Sequence, residues 1–219
     1  MASPKKPSLV LVGAGGHAKV LADIIDAAGQ LSLIGATDSK PTGQVARASG
    51  LKILGGDERL PGLRAKGVLN AAVGLGSIGK TAARKRLRHH LLALGFRTPT
   101  LAHPSAVISR RAKVSPGAQI MAGAVINPGA DIGPGAVVNT AAVVEHDCSL
   151  GPDCFVGPGA VLGGGVVIGA GAFIGLGARV RPSTVIGPGA IVGAGAVVVK
   201  DVRAGAIVVG VPARERRRS

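Results

Sequence analysis

The chain has 219 residues, a net charge of +15 and 47% hydrophobic residues, yet it is only 1% aromatic and contains no Trp or Tyr. That length allows one or two domains, and the scarcity of rings excludes a core built on large aromatic side chains. No apolar run is both long and free of glycine, so no membrane-spanning helix is expected. The opening Met-Ala-Ser-Pro-Lys-Lys-Pro lacks the apolar block of a signal peptide, so a cytoplasmic location is expected.

Residues 8–16 read as a buried strand running into a glycine turn, 17–28 as a helix and 31–36 as a second strand ending at Asp38. The spacing Gly13-x-Gly15-x-x-Ala18, with Asp38 twenty residues beyond Ala18, fits a dinucleotide fingerprint. Its physical basis is a helix N-terminus that offers backbone N–H groups to phosphate. Only about 100 residues precede the repeat described below, which is short for a full dinucleotide fold. A half-size Rossmann-like domain binding a nucleotide or nucleotide-sugar is therefore expected, rather than an NAD enzyme.

Residues 51–60 read as a short strand and turn, and 68–73 as another strand. Gly74-Leu-Gly-Ser-Ile-Gly79-Lys80-Thr81 follows, then a helix to about residue 94. The spacing matches a Walker A loop. No later strand ends in an Asp that could hold magnesium, so an ATPase is not expected. The loop is instead expected to wall the same pocket as Gly13 to His17, since both lie at C-terminal ends of strands. His89 and His90 are expected at the surface. Residues 96–105, with Pro99 and Pro104, form a connector.

From Ile108 to Val198 every sixth residue is aliphatic, and the residue four further on is small from Ala112 through Cys148 and Cys154 to Ala160 and then mostly Ala to Ala196. A period of six is the signature of a parallel β-helix in which three hexads close one triangular coil. About five coils, stacked at ~4.8 Å, make a prism roughly 25 Å tall. Both cysteines fall on the inward small position and read as packing rather than as a disulfide or metal site. Four segments follow: 1–100 Rossmann-like, 101–107 connector, 108–203 β-helix, and 204–219 an extended stretch with a basic, partly helical tail. Basic residues cluster at 80–88, 179–181 and 214–218. No aromatic residues interleave them for base stacking, so small phosphate-bearing ligands are expected in preference to nucleic acid.

The repeat supplies its own control. The residue three after each aliphatic is usually Gly, but in three consecutive hexads it is Ala141, Asp147 and Asp153. Nearby positions become Asn139, Thr140, Glu145 and His146, so polar chemistry concentrates between 139 and 147. His146 and Asp147 both fall at outward turn positions. A carboxylate fixing one ring nitrogen as N–H leaves the other as acceptor, a general-base pair. Eighteen residues separate stacked positions, so Gly164 lies over His146. It is expected to leave room for substrate and to offer a backbone N–H to an oxyanion. Such a site suits acyl transfer without a Ser or Cys nucleophile, and no metal is expected.

Four motifs together resemble a known family: Val12-Gly-Ala-Gly-Gly-His17, Ala102-His-Pro-Ser-Ala106, Asn139-Thr-Ala-Ala-Val-Val-Glu-His-Asp-Cys148 and Val209-Gly-Val-Pro-Ala-Arg214. The chain resembles, along nearly its whole length, the hexapeptide-repeat acetyltransferases of nucleotide-linked amino sugars. These include the bacillosamine-pathway and perosamine N-acetyltransferases and their sialic-acid O-acetyltransferase relatives. The resemblance implies a small Rossmann-like domain followed by a left-handed β-helix, a homotrimer with sites between neighbouring β-helices, and acetyl-CoA as co-substrate along the prism. It implies His146 as base, Asp147 as its acidic partner and Asn139 near the reacting amine. Gly15, Gly16, His17, Asp38 and Gly74 match the nucleotide-sugar loop, and Gly164, Leu176, Gly193 and Ala194 fall where relatives line the CoA channel. Some relatives carry His where Phe155 stands, and UDP-sugar members often have paired acids where this chain has Thr37-Asp38. The reading is an acetyl-CoA-dependent N-acetyltransferase of a nucleotide-linked 4-amino-4-deoxysugar, with a GDP-perosamine-like substrate favoured over a UDP-linked one. The alternatives are a sugar O-acetyltransferase and a trimeric nucleotide-sugar-binding module without chemistry.

Overall fold

The structure, a computed structural model, describes residues 6–44 and 49–216. Close contacts divide the chain into two compact units, residues 1–76 with 86–104, and residues 77–85 with 105–219.

In the first unit, β1 (Ser8–Val12) lies between β2 (Ser32–Thr37) and β3 (Asn70–Val73), all parallel. Single parallel bridges extend the sheet at both edges, Ile53 beside Ala36 and Arg97 beside Asn70. The spatial order Ile53, β2, β1, β3, Arg97 is that of a small Rossmann-like sheet. The apolar run of β1 is buried on both faces, as an inner parallel strand requires. Helix α1 (Gly16–Ala28) buries Ala18, Leu21, Ile24 and Ile25 and stops at Gly29, whose left-handed conformation caps it. Residues expected to turn at 51–60 instead form one helical turn (Asp57–Arg59) that runs into α2 (Leu60–Ala65). Pro61 and Gly62 concealed this helix in the sequence. Proline is accepted in a first helical turn, where its missing N–H has no partner to lose. Val10, Val12, Leu60, Val73, Leu91 and Phe96 close this unit's core.

The second unit is built from two-residue strands, beginning with Val107–Ile108 and recurring every six residues to Val197–Val198. They stack in parallel register eighteen residues apart, as in Val125, Val143, Val161 and Arg179. The three faces close a left-handed β-solenoid. The aliphatic of each hexad from Ile120 to Val198 is buried, as are the small residues between, Cys148 and Cys154 among them. Both cysteines are free thiols. Burial pushes the Cys154 thiol up to about 12, which leaves it inert.

The ladder runs on past 203. A strand at Ile207–Val209 adds to Ile191–Val192, and Arg214–Glu215 folds back antiparallel upon it. The tail is therefore a hairpin through residue 216 rather than partly helical, and 217–219 lie outside the described residues. An open solenoid end presents unpaired backbone groups, and pairing the tail on it satisfies them. Among the described residues no helix is long and apolar enough to cross a membrane.

Candidate active site

Each turn of the solenoid forms an edge between two faces. The first edge carries Asn139, Thr140 and Ala141 after strand Val137–Val138. The second carries Glu145, His146 and Asp147 after Val143–Val144, and the third carries Gly151, Pro152 and Asp153 after Ser149–Leu150. The polar residues that are contiguous in sequence between 139 and 153 are thus distributed over three different edges.

On the second edge, His146 Nδ1 lies 2.9 Å from Asp147 Oδ2, with both side chains exposed to solvent. The hydrogen bond to Asp147 raises the imidazole pKa above its ordinary value, against a smaller opposing effect of desolvation. Two glycines seat the pair. A Cβ on Gly164, one coil further on, would stand 2.5 Å from His146 Nε2. A Cβ on Gly129, one coil back, would collide with the Asp147 carboxylate. The room at Gly164 is therefore filled by the imidazole and is not left for substrate, as the sequence had suggested. Asp147 also occupies the left-handed region, φ +59°. Asp reaches that conformation more readily than most residues, because its short polar side chain bonds locally.

Asn139 accepts from the Thr140 N–H at 2.8 Å, which fixes its amide at the first edge. Leu176, 61% exposed, stands on the same edge, with Gly193 and Ala194 one coil beyond. Within one chain, the candidate residues therefore fall into two groups on adjacent edges, Asn139, Leu176, Gly193 and Ala194 on one and His146, Asp147 and Gly164 on the other.

Asp153 has a different role. It is buried on the third edge, and its charge acts on Arg84, which is 4% exposed. Arg84 donates to Gln119 Oε1 at 2.8 Å, and burial lowers its pKa to about 10. Three residues earlier, Thr81 Oγ1 donates to Gly171 O at 2.7 Å. The hydroxyl that a Walker loop would turn to magnesium is thus spent on a solenoid carbonyl. Segment 77–85 clamps the solenoid, and one arginine of the basic cluster at 80–88 is interior rather than surface. His89 and His90 are exposed. The sequence signals for this clamp were an acid at a glycine position and Gln119 at a buried strand position.

Phe155 is 5% exposed and stacks on Phe173 with ring centroids 5.3 Å apart. It presents no polar atom where some relatives have His.

In the first unit the strand ends converge. Gly13 has φ +95°, and its N–H donates to Thr37 O. Gly74 approaches so closely that its Cβ would lie 2.5 Å from Gly13 O. Gly76 lies against His17, where a Cβ would be 3.5 Å from the His17 Cβ. Gly15 caps α1 in an extended conformation, and a Cβ on Gly16 would meet nothing within 4 Å. Asp38 ties this loop to β2 by accepting from Ala14 N at 2.8 Å and from Lys40 N at 2.8 Å. Thr37 Oγ1 donates to Asp57 at 2.8 Å, so Thr37 is committed to the sheet edge. Gly15, Gly16, His17, Asp38 and Gly74 therefore come together around one helix N-terminus, a geometry suited to phosphate. Among the described residues, no group of three or more His, Cys, Asp or Glu could hold a metal.

The family described as PglD N-terminal domain matches residues 8–91, and the family Bacterial transferase hexapeptide (six repeats) matches residues 165–200. No match is found among curated proteins. Among solved structures, the chain is similar to GDP-perosamine N-acetyltransferase from Caulobacter crescentus, in a histidine-to-alanine mutant in complex with CoA and GDP-perosamine. Identity is 40%, covering 99% of this chain and 100% of that one, with a TM-score of 0.90. The acetyltransferase domain of PglB from Neisseria gonorrhoeae FA1090, in complex with acetyl coenzyme A, is 36% identical over 97% of this chain and 100% of that one, TM-score 0.87. WeeI from Acinetobacter baumannii AYE is 27% identical over 95% and 99%, TM-score 0.80. With a relative 40% identical across the full length of that relative, the chain belongs to the hexapeptide-repeat acetyltransferases of nucleotide-linked amino sugars.

Proposed function

We propose that the protein transfers acetyl from acetyl-CoA to the amino group of a nucleotide-linked 4-amino-4-deoxysugar, with His146 as general base. The observation that carries this is the 2.9 Å contact between His146 Nδ1 and Asp147 on an exposed edge. Asp147 holds Nδ1 as N–H, so Nε2 is the proton acceptor. The amine nitrogen attacks the thioester carbonyl carbon, forming the C–N bond as the carbonyl π pair moves to oxygen, and collapse of that oxyanion then breaks the C–S bond. His146 takes the proton from nitrogen and returns it to the departing thiolate. We assign the backbone N–H of Gly164, beside the ring, to the developing oxyanion.

A single chain leaves Asn139, Leu176, Gly193 and Ala194 on a different edge from His146. A homotrimer in which one copy lays its first edge along the second edge of its neighbour unites both groups, and exposed Leu176 supports such a contact. Asn139 then orients the amine, and Leu176, Gly193 and Ala194 line the acetyl-CoA channel. Gly15, Gly16, His17, Asp38 and Gly74 hold the sugar nucleotide. A guanine nucleotide is favoured because Thr37 is bound to Asp57 where UDP-sugar members often have a second acid, and because a relative 40% identical was solved with GDP-perosamine.

The test is a transfer assay with GDP-, UDP- and dTDP-linked 4-amino sugars, and their 4-hydroxy counterparts, on the wild type and His146→Ala. The expected result is amide formation on a GDP-linked amino sugar, and loss of most turnover in the variant at unchanged molecular mass. Near-normal kcat in the variant, or ester formation alone, would sink the reading.

A further inference from the structure

On the first and third edges of the solenoid, a backbone hydrogen bond closes each turn, from the small residue to the carbonyl three positions before it. Ala160 N donates to Gly157 O at 3.2 Å, Ala172 N to Gly169 O at 3.1 Å and Ala178 N to Gly175 O at 3.2 Å. The turn 163–166, beside His146 on the second edge, has no such bond from Val166 N to Gly163 O. Gly163 O accepts instead from the Cys148 thiol at 3.2 Å, and the Val166 N–H faces the same sulfur. A thiol both donates and accepts, so it bridges the two groups that a backbone bond joins elsewhere. Burial raises the Cys148 pKa above its ordinary value, against a smaller effect of the neighbouring N–H groups, and the thiol keeps its proton. Cys154 is buried at the same inward position of the next hexad, yet its turn retains the backbone bond, Cys154 N to Gly151 O at 3.4 Å.

Gly163 O and Gly164 N–H belong to one peptide group. In a trans peptide the two point in opposite directions. The carbonyl is drawn toward the buried thiol, so the N–H faces the outside of the edge. Among the described residues this N–H donates to no group. Pro128 and Pro182 take the equivalent position in the coils before His146 and after Gly164, and proline has no N–H to offer. Gly164 thus keeps a free donor beside the imidazole. The same peptide lies between two glycines, whose backbones accept many orientations. From these observations we propose that Cys148 is a positioning residue, whose thiol fixes the Gly163–Gly164 peptide and so aims the Gly164 N–H at the thioester oxygen. This rests on the acetyltransferase reading above, in which that N–H serves the developing oxyanion. A donor already aimed needs no reorientation as the charge develops. An S–H group is a weak donor, so its share is a fraction of what the oxyanion donor itself supplies.

The test compares wild type, Cys148→Ala, Cys148→Val, Cys148→Ser and Cys154→Ala by steady-state kinetics and by crystal structure. Ala130 and Val166 are buried at this inward position in the adjacent coils, so both apolar side chains fit there. Both apolar variants at 148 are expected to lower kcat about tenfold, a fraction of the roughly hundredfold that complete loss of an oxyanion donor costs. KM for both substrates and the pH limb set by His146 should stay in place. Serine restores a donor, and kcat of Cys148→Ser should return to within about threefold of wild type. Cys154→Ala should match the wild type. Wild-type turnover in both apolar variants, a serine variant no better than Cys148→Val, or a pH limb that moves with the loss would overturn the proposal. Orientation is read apart from turnover. In Cys148→Ala the Gly163 carbonyl should leave its interior position, and a carbonyl that stays put would equally overturn the proposal. A wild type that acetylates no sugar nucleotide would overturn the proposed reaction, while the position of that carbonyl in the variant still decides whether the thiol holds the peptide.

Discussion

Gly164 and His146 occupy one volume between them. A Cβ at 164 would stand 2.5 Å from Nε2, 2.6 Å from Cε1 and 3.2 Å from Cδ2 of the imidazole. The glycine does not adopt the left-handed conformation that other turn glycines of the solenoid do, so alanine there is unstrained in the backbone. Gly164→Ala should therefore fold and displace only the ring. Turnover is expected to fall by about a hundredfold, as for a misplaced catalytic group, with a melting temperature within a few degrees of wild type. Equal kcat would mean that the seat has no influence on the base.

The Asp147 hydrogen bond raises the His146 pKa, and the sign of that shift fixes a pH profile. A base works in its neutral form, so kcat/KM should rise with pH through a value above that of an ordinary histidine. In Asp147→Asn the charge is lost and the limb should move to lower pH, while kcat at the plateau falls. Asn tolerates the φ of +59° at this turn, so the variant isolates the charge. An unmoved limb in the variant would remove Asp147 from the titration.

Arg84 is interior to the second unit, with Gln119 Oε1 at 2.8 Å and Asp153 beside it. Removing one member of a buried charged cluster leaves its partners desolvated, which costs roughly 3–5 kcal/mol. Arg84→Ala should lower denaturant stability by about that amount. Pairing Arg84→Met with Asp153→Gly removes both charges and gives the turn its preferred residue, since Asp153 has φ +56°. The double variant should recover most of the loss. Additive losses from the two sites would show that they do not interact.

Ala141 is held at φ +54° where most turns of the solenoid have Gly. A left-handed non-glycine residue costs roughly 1–2 kcal/mol, partly offset by the greater freedom of Gly in the unfolded chain. Ala141→Gly should raise the unfolding free energy slightly, by under about 1 kcal/mol. A clear loss would mean that the methyl group makes contacts in the assembled protein.

The solenoid was legible because one inward position repeats every six residues, and the buried aliphatics from Ile120 to Val198 obey it. The dyad was legible because His146 and Asp147 break a regular background. Spatial assignment of the breaks was not. A period of six places 141, 147 and 153 at the same step of the repeat, whereas a three-sided coil sends them to different edges. The role of Asp153 was not legible, because its charge acts on Arg84 and a partner 69 positions away leaves no local pattern. Ser183, at φ +57°, is a further turn without glycine that reading only consecutive breaks passed over. The seat for the imidazole was equally hidden, because a glycine in sequence does not say whether its missing side chain makes room for a ligand or for a neighbouring residue.

Asp38 closes the glycine loop of the first unit by accepting the Ala14 N–H at 2.8 Å and the Lys40 N–H at 2.8 Å. Its two oxygens are thus engaged in shaping the loop that presents Gly15, Gly16 and His17. Asp38→Ala should loosen that loop and raise KM for the sugar nucleotide by about tenfold, or roughly 1.4 kcal/mol. The CoA affinity should not change, because His146, Leu176, Gly193 and Ala194 all lie in the other unit. Asp38→Asn keeps one acceptor oxygen and should recover part of the loss. Steady-state kinetics with each substrate varied in turn separates these effects, and an equal rise in KM for both substrates would show that Asp38 acts on the fold as a whole.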